Sequence, residues 1–347
     1  MVGDSWFVDR VSGMVCDTMS EPATKRRRCL WSVLGAAALF VGPAPAWSWG
    51  CEGHETIALV ASRQLTPHAR KMVSELLHPS PIDSHLERAC HPSGGNALSD
   101  VSTWADDIRH DPTSPLTRTR TWHFIDIPRA ATRGDVDRFC PRAAGCIVTA
   151  IDTQLATLRK PHAERQHTAE ALMLLVHLIG DLHQPLHCTT NNDGGGNCVP
   201  VTYFGMAPQL PRDRPEDDVY QPNLHAVWDT GIIRRIVGHR GSSWFADFLQ
   251  RRFAAQMPAW QRMPIDVSAW AWESHRVAEQ TAYGQLPFAI PIASPQRGVH
   301  CQEVSQKMLA LHEHLGQRYQ EAVVPIIEEQ LAKAGVRLAM VLNRLWP

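Results

Sequence analysis

Ala171–His187 reads ALMLLVHLIGDLHQPLH and leaves the chain little freedom. It is apolar over helical length, yet it carries His177, Asp181 and His187. His177 and Asp181 are four residues apart and share one helix face. Leu174, Leu175, Leu178, Ile179 and Leu182 take most of the remaining circumference, so this helix is expected to be buried nearly all round. A carboxylate in such surroundings is costly unless it is paired or bound to a metal. Gln184-Pro185 stops the helix, because Pro185 disfavours α geometry at the residue before it. The stop lets His187 turn back toward the same cavity. Taken alone, the stretch fits a buried His–Asp hydrogen bond in a core helix as well as a metal site.

Helical patterns dominate the rest of the chain. They run over Glu55–Leu65, Pro67–Leu77, Leu98–Arg109 (with Ser99 or Asp100 as cap), Ala144–Leu158, Thr168–Leu182 and Asn223–Ile236. Amphipathic helices are expected over Ser243–Met257, Asp266–Ala282, Glu303–Val323 and Val324–Leu345. Trp122–Pro128 reads as a short extended segment, and Val199–Phe204 as a short strand pair. At 347 residues two domains are conceivable, but no internal repeat and no linker is found. The expected class is all-α: one compact multi-helix domain over residues 49–347 with little β structure.

Residues 1–48 read as an extension followed by a signal peptide. Lys25-Arg26-Arg27-Arg28 is a charged start, and Cys29–Gly42 is an apolar core too short to remain as a spanning helix. Ala46 and Ser48 are the small residues expected before a cut that would leave Trp49 first. An uncleaved membrane anchor is the alternative. Residues before Lys25 do not fit a signal peptide, which makes Met14 and Met19 candidate starts.

Export to the periplasm or the medium permits disulfides. Seven cysteines follow the proposed cut. Cys140–Cys146 and Cys188–Cys198 each close a short loop and are the expected pairs, with Cys51–Cys90 a further candidate. Seven is odd, so at least one thiol is left over.

Charge is balanced, with Lys+Arg 34 against Asp+Glu 35, so no basic surplus argues for gripping duplex nucleic acid through its phosphates. The balance leaves room for a small pocket that holds one phosphate through metals. All 18 histidines lie after residue 49. His177 and Asp181 are matched by a second i, i+4 pair, His225 and Asp229. His187 ends the central helix, Asp106 sits in a helical pattern, His123 stands on the extended WHFID, and His54 follows the proposed new N-terminus closely. Imidazole with carboxylate is zinc chemistry, and zinc takes three or four such ligands per ion. The set is large enough for more than one ion. His183 lies two residues from Asp181 on a different face, which suits a supporting role.

The motifs WGxxGH (Trp49–His54), SxWAD(x2)R ending at Arg109, HFID (His123–Asp126), HxxGDxxQPLH (His177–His187), GGN (Gly195–Asn197) and NLHxxWD (Asn223–Asp229) occur in that order. With them the chain resembles the zinc-dependent single-strand nuclease and 3′-nucleotidase family over nearly all of residues 49–347. The tail Ile327–Leu345 is similar to that family's last helix. The resemblance implies three zinc ions in one cleft. Asp106, His123, His177 and Asp181 would hold the first. Trp49, through a free α-amine and its carbonyl, would share the second with His54 and Asp181. His187, His225 and Asp229 would hold the third.

The implied reaction is hydrolysis of single-stranded DNA and RNA to 5′-phosphorylated products, with 3′-nucleotidase activity. A hydroxide between the first two zincs would attack phosphorus, and the third zinc would steady the departing 3′-oxygen. Arg109 would neutralise charge on the phosphoryl oxygens, with Asn197 orienting it or the phosphate. Phe124 would stack an unpaired base, Asp126 would read its edge, and Tyr220 falls where some members carry a second stacking aromatic. The loop between His187 and Gly195 is a residue longer than in the family's fungal members, which leaves base preference open. The expected substrates are single-stranded DNA or RNA and 3′-mononucleotides, and the expected protein is a monomer without stable membrane association. A zinc phospholipase C is the competing reading, although such enzymes end their ligand set in HxxxE and lack HFID. A non-catalytic zinc-binding protein is the third.

Overall fold

The computed structural model describes residues 49–91, 95–111, 113–132, 136–141, 143–161, 164–210, 219–294 and 301–347. The proposed signal peptide and its cut lie outside the described residues. Among those described, helices account for nearly all regular structure, as an all-α class requires. They are α1 (Gly50–Ser62), α2 (Pro67–Leu77), α3 (Ala97–Val101), α4 (Trp104–Ile108), α5 (Ile147–Leu158), α6 (Arg165–Leu182), α7 (Leu224–Ala226), α8 (Ile232–Val237), α9 (Gly241–Arg252), α10 (Met257–Arg262), α11 (Val267–Val277), α12 (Cys301–Leu309) and α13 (Gln317–Leu345). Short 3₁₀ and π turns join several of them.

The buried apolar side chains form one cluster, with α6 at its centre. Every residue of α6 from Ala171 to Leu182 is buried, as its apolar circumference requires. Helix α5 packs against α6, while α1 lies against α9 and α13. The α2 start follows local chemistry: the Thr66 hydroxyl accepts from Ala69 N at 3.1 Å, and Pro67 opens the first turn.

Several expected boundaries move. Leu98–Arg109 is two short helices broken at Ser102–Thr103, and the cap is Asn96, whose side chain accepts from Ser99 N at 3.1 Å. Asn223–Ile236 is interrupted by a π turn, Val227–Gly231, and Asp266–Ala282 ends in another, Ala278–Tyr283. The expected break between Val323 and Val324 does not occur. Pro325 sits inside α13 on an exposed face, where the carbonyl it leaves unbonded can meet water, and the chain breaks earlier, before Gln317. Thr202–Tyr203 is a strand, but it pairs in parallel with His314–Leu315 rather than within Val199–Phe204.

Three disulfides form: Cys51–Cys90, Cys140–Cys146 and Cys198–Cys301. The expected Cys188–Cys198 pair is therefore wrong. Cys188 is buried below the end of α6, where its thiol donates to Leu182 O at 3.4 Å, and Cys198 turns instead to α12.

Candidate metal centre

Four separate pieces of chain bring ligand atoms to the end of α6. His177 and Asp181 come from α6 itself. His54 comes from α1, and its ring lies so close to Gly180 that a Cβ there would stand 2.9 Å from it. Asp106 comes from α4, and the helix break before it has a use: Ser102 O, turned out of the helix, accepts from His177 Nδ1 at 2.8 Å. His123 closes the 3₁₀ turn Pro115–His123. Beyond it the chain is extended and clamps the His187 turn from both sides. Ile125 N donates to His187 O at 2.8 Å, and His187 Nδ1 donates to His123 O at 2.7 Å.

His123 Nδ1 lies 2.9 Å from Asp181 Oδ2 and 3.6 Å from Asp106 Oδ1. His177 Nε2 lies 3.1 Å and 3.5 Å from the same two oxygens, and the two nitrogens are 3.2 Å apart. Zinc bonds of about 2.0–2.1 Å at tetrahedral angles set ligand atoms about 3.3 Å from one another. The five separations scatter around that edge length. The other Asp181 oxygen, Oδ1, faces His54 Nε2 at 3.3 Å, so one carboxylate serves two groups of ligands. Trp49 is fully buried beside them, with its indole N–H donating to Gly180 O at 2.8 Å. The ligand atoms of His54, Asp106 and His177 also converge within 4.8 Å.

A further group forms at the other end of the same region. His187 Nε2 and His225 Nε2 are 3.1 Å apart, and His225 Nε2 is 3.2 Å from Asp229 Oδ2. His225 and Asp229 face one way because α7 runs into the π turn that carries Asp229.

The hydrogen bonds say what these groups can hold. His177, His187 and His225 each donate Nδ1–H to a backbone carbonyl, of Ser102, His123 and Gly195 respectively. A carbonyl only accepts, so each Nδ1 carries the proton and each neutral ring offers an Nε2 lone pair. Two lone pairs do not face each other at 3.1 Å unless a proton or a cation lies between them. Asp181 Oδ1 and Asp229 Oδ2 are buried and accept no hydrogen bond, although imidazole nitrogens are 3.3 Å and 3.2 Å away.

Electrostatics agree. Burial alone would raise the Asp106 and Asp181 carboxyls. Arg109 and His177 outweigh burial at Asp106, as His177 and His123 do at Asp181, and both carboxyls are held well below the usual range. Burial opposes a second proton on His177, yet Asp181 and Asp106 raise its imidazole to about 10, so the carboxylates draw positive charge, a proton or a cation, to the Nε2 side. The cluster demands a positive charge at its centre.

Arg109 is the expected residue in contact with a candidate ligand, whereas the contacts of Asn197 and Tyr220 lie within their own loops. Arg109 Nη2 pairs with Asp106 Oδ1 at 3.1 Å, three residues back along α4. Phe124 follows His123 and leaves 37 % of its surface exposed. Asp126 is exposed at the next outward position, where crowding by the surrounding protein and the charge of Asp193 push its carboxyl upward. Asn197 donates to Gly194 O at 2.9 Å, and Tyr220 accepts at its carbonyl from Asn223 Nδ2 at 2.8 Å. His183 takes the supporting place expected for it: Nδ1 donates to Ile179 O, and Nε2 accepts from Arg337 at 2.9 Å.

Gln184 does more than stop the helix. Its Nε2 donates to Asp229 Oδ1 at 2.6 Å, while its Oε1 accepts from Leu186 N at 2.6 Å. That leaves Asp229 Oδ2 for an ion. The sequence signal is a polar side chain set in an apolar run.

The family model for S1/P1 nuclease matches residues 49–347. The chain belongs to the S1/P1 nuclease family. Nuclease P1 of Penicillium citrinum is 27 % identical over 314 residues, covering 86 % of this chain and 97 % of that one. Nuclease S1 of Aspergillus oryzae is 27 % identical over 313 residues, covering 84 % and 90 %. Endonuclease 2 of Arabidopsis thaliana is 28 % identical over 310 residues, covering 86 % and 90 %. Membership makes this S1/P1 family chain a phosphodiester-cleaving hydrolase, and its three His/Asp groups are able to hold metal ions.

Proposed function

We propose that this chain is an exported zinc enzyme that cleaves single-stranded DNA and RNA to 5′-phosphorylated products and removes phosphate from 3′-mononucleotides. The observation that carries the reading is the Asp181 carboxylate, fully buried and divided between two sets of imidazoles at bonding separations for a shared metal pair. Three zinc ions fit the donors. Asp106, His123, His177 and Asp181 would hold one; Trp49, His54 and Asp181 a second; His187, His225 and Asp229 a third. Zinc held there supplies positive charge for phosphate oxygens and acidifies water enough to ionise near neutral pH.

The chain's own residues supply the rest. Arg109, paired through Nη2 with Asp106, carries a guanidinium fork that suits the equatorial oxygens of a phosphate under attack. Phe124 offers an open ring beside a ligand, and a base can reach it only when unpaired, which favours single strands. Asp126, next outward, is placed to accept from a base edge. The Trp49 α-amine becomes a neutral nitrogen ligand only after the preceding residues are cut away, which ties assembly to export. The family match begins at that residue. No helix among the described residues is long and apolar enough to cross a membrane. We take the mature chain to be one domain acting as a monomer. The family match favours this reading over a phospholipase C.

The test uses protein beginning at Trp49, assayed on single-stranded DNA, a 3′-mononucleotide and phosphatidylcholine vesicles. Each is measured before chelation, after it, and after zinc is restored. Nucleic-acid cleavage lost and regained with zinc is expected. Lipid cleavage alone, or nuclease activity untouched by chelation, would overturn the proposal.

A further inference from the structure

His225 hangs on a turn of three glycines, closed by Asn197 N donating to Gly194 O at 3.2 Å and Cys198 N donating to Asp193 O at 2.9 Å. Its Nδ1 donates to Gly195 O at 2.8 Å. Gly194, Gly195 and Gly196 all have positive φ, at 60°, 60° and 86°. Glycine enters that region freely and is also the residue with the most conformational entropy to lose. At Gly195 nothing larger fits, since a Cβ would lie 2.2 Å from Leu186 O. Something other than side-chain packing must therefore fix where the Gly195 carbonyl points.

Asp193 does this. It is 1 % exposed, and both of its carboxylate oxygens are engaged. Oδ1 accepts from Gly196 N at 3.2 Å and from Asn191 N at 3.1 Å, one on each side of the turn. Oδ2 accepts from the Tyr283 hydroxyl at 2.8 Å. Tyr283 ends the π turn after α11, with its ring held under the Arg129 guanidinium, 4.4 Å from the centroid. A line of direct contacts thus runs from Tyr283 through Asp193 and the glycine turn to His225.

We propose that Asp193, anchored by Tyr283, is a positioning residue for the third metal: it orients the Gly195 carbonyl, and through it the Nε2 of His225. The inference rests on the proposed zinc site at His187, His225 and Asp229. Outer partners of a ligating histidine typically govern metal affinity by about 10- to 100-fold, and here the outer partner is a carbonyl that itself needs holding. Asparagine at 193 can still accept from both backbone N–H groups. Alanine cannot.

The experiment titrates zinc-loaded protein with a chromogenic chelator and counts the ions released per chain. His225→Ala marks which released ion is the third. Asp193→Ala should release that same ion at about 10- to 100-fold weaker chelation while the other two stay. Asp193→Asn should restore most of the affinity. Tyr283→Phe, which removes only a hydroxyl, should show a smaller loss of the same ion and keeps the test valid if the alanine variant does not fold. On single-stranded DNA, kcat should fall with KM little changed. Retention of the third ion in Asp193→Ala and Tyr283→Phe, or equal loss of all three, overturns the proposal. If wild type and His225→Ala release zinc identically, the third site itself is refuted and the proposal falls with it.

Discussion

Replacing Asp181 by asparagine tests the shared carboxylate directly. Asparagine keeps the shape and removes the charge, so packing in the buried end of α6 changes little. In the wild-type protein Oδ2 faces His123 and His177 at 2.9 Å and 3.1 Å, and Oδ1 faces His54 at 3.3 Å. In the variant one of these positions becomes an N–H donor, which cannot ligate a cation. Removing one partner from a buried ionic contact costs about 3–5 kcal/mol, or roughly 10²- to 10⁴-fold in affinity at about 1.4 kcal/mol per decade. Both groups should be weakened, because the one facing the N–H loses its ligand atom and the other keeps a neutral amide oxygen where it had a shared negative charge. Chelator titration should show two ions leaving together at a chelating strength that wild type withstands. The ion at His187, His225 and Asp229 should remain. Cleavage of single-stranded DNA should fall by at least about 10² in the same preparation. Release of a single ion would refute the sharing, and undiminished cleavage would refute the role of the cluster altogether.

Three further predictions use other parts of the structure. Arg109→Ala should lower kcat by about 10²–10³ at unchanged zinc content, measured by elemental analysis beside the assay. Phe124→Ala should raise KM for single-stranded DNA by about 5- to 150-fold, the equivalent of the 1–3 kcal/mol one stacked base supplies; an unchanged KM would remove Phe124 from the base pocket. His275 supplies a pH test. Burial, with help from Arg276 and Arg129, pushes its imidazole down to about 4, whereas the unfolded chain protonates it near 6.5. Its contribution to stability is therefore complete above pH 6.5 and is lost as pH falls from 6.5 toward 4, about 2 kcal/mol by pH 5. His275→Gln should lose less Tm than wild type between pH 7 and pH 5, and parallel curves would refute the assignment.

The His/Asp groups able to hold metal were legible because their chemistry is written locally. His177 with Asp181, and His225 with Asp229, are each four residues apart, and a helix turns that spacing into a shared face. What stayed hidden depends on partners distant in sequence. No local pattern marks the helix break at Ser102–Thr103, because its reason is the ring of His177, 75 residues on. The Cys188–Cys198 expectation followed loop length, whereas burial of Cys188 under α6 and the approach of α12 decided the pairing. The continuity of the last helix through Pro325 was hidden because it depends on that residue's face being open to water. Gln184 and Asp193 looked like ordinary loop polar residues until the groups they hold were in place.

The Cys198–Cys301 bridge has a consequence for when the enzyme becomes dangerous. Cys198 lies two residues beyond the glycine turn, its N–H donates to Asp193 O at 2.9 Å, and the bridge ties that point to α12. It closes 103 residues of chain, which in the chain-entropy account contributes about 4–5 kcal/mol. Before oxidation, the turn that orients His225 lacks this staple, so zinc content measured as the bridge is reduced should drop first at the third site. A chain that has not yet left a reducing compartment would then carry an unfinished centre. If the centre forms only outside reducing compartments, its activity would be confined to the place where the bridge can close.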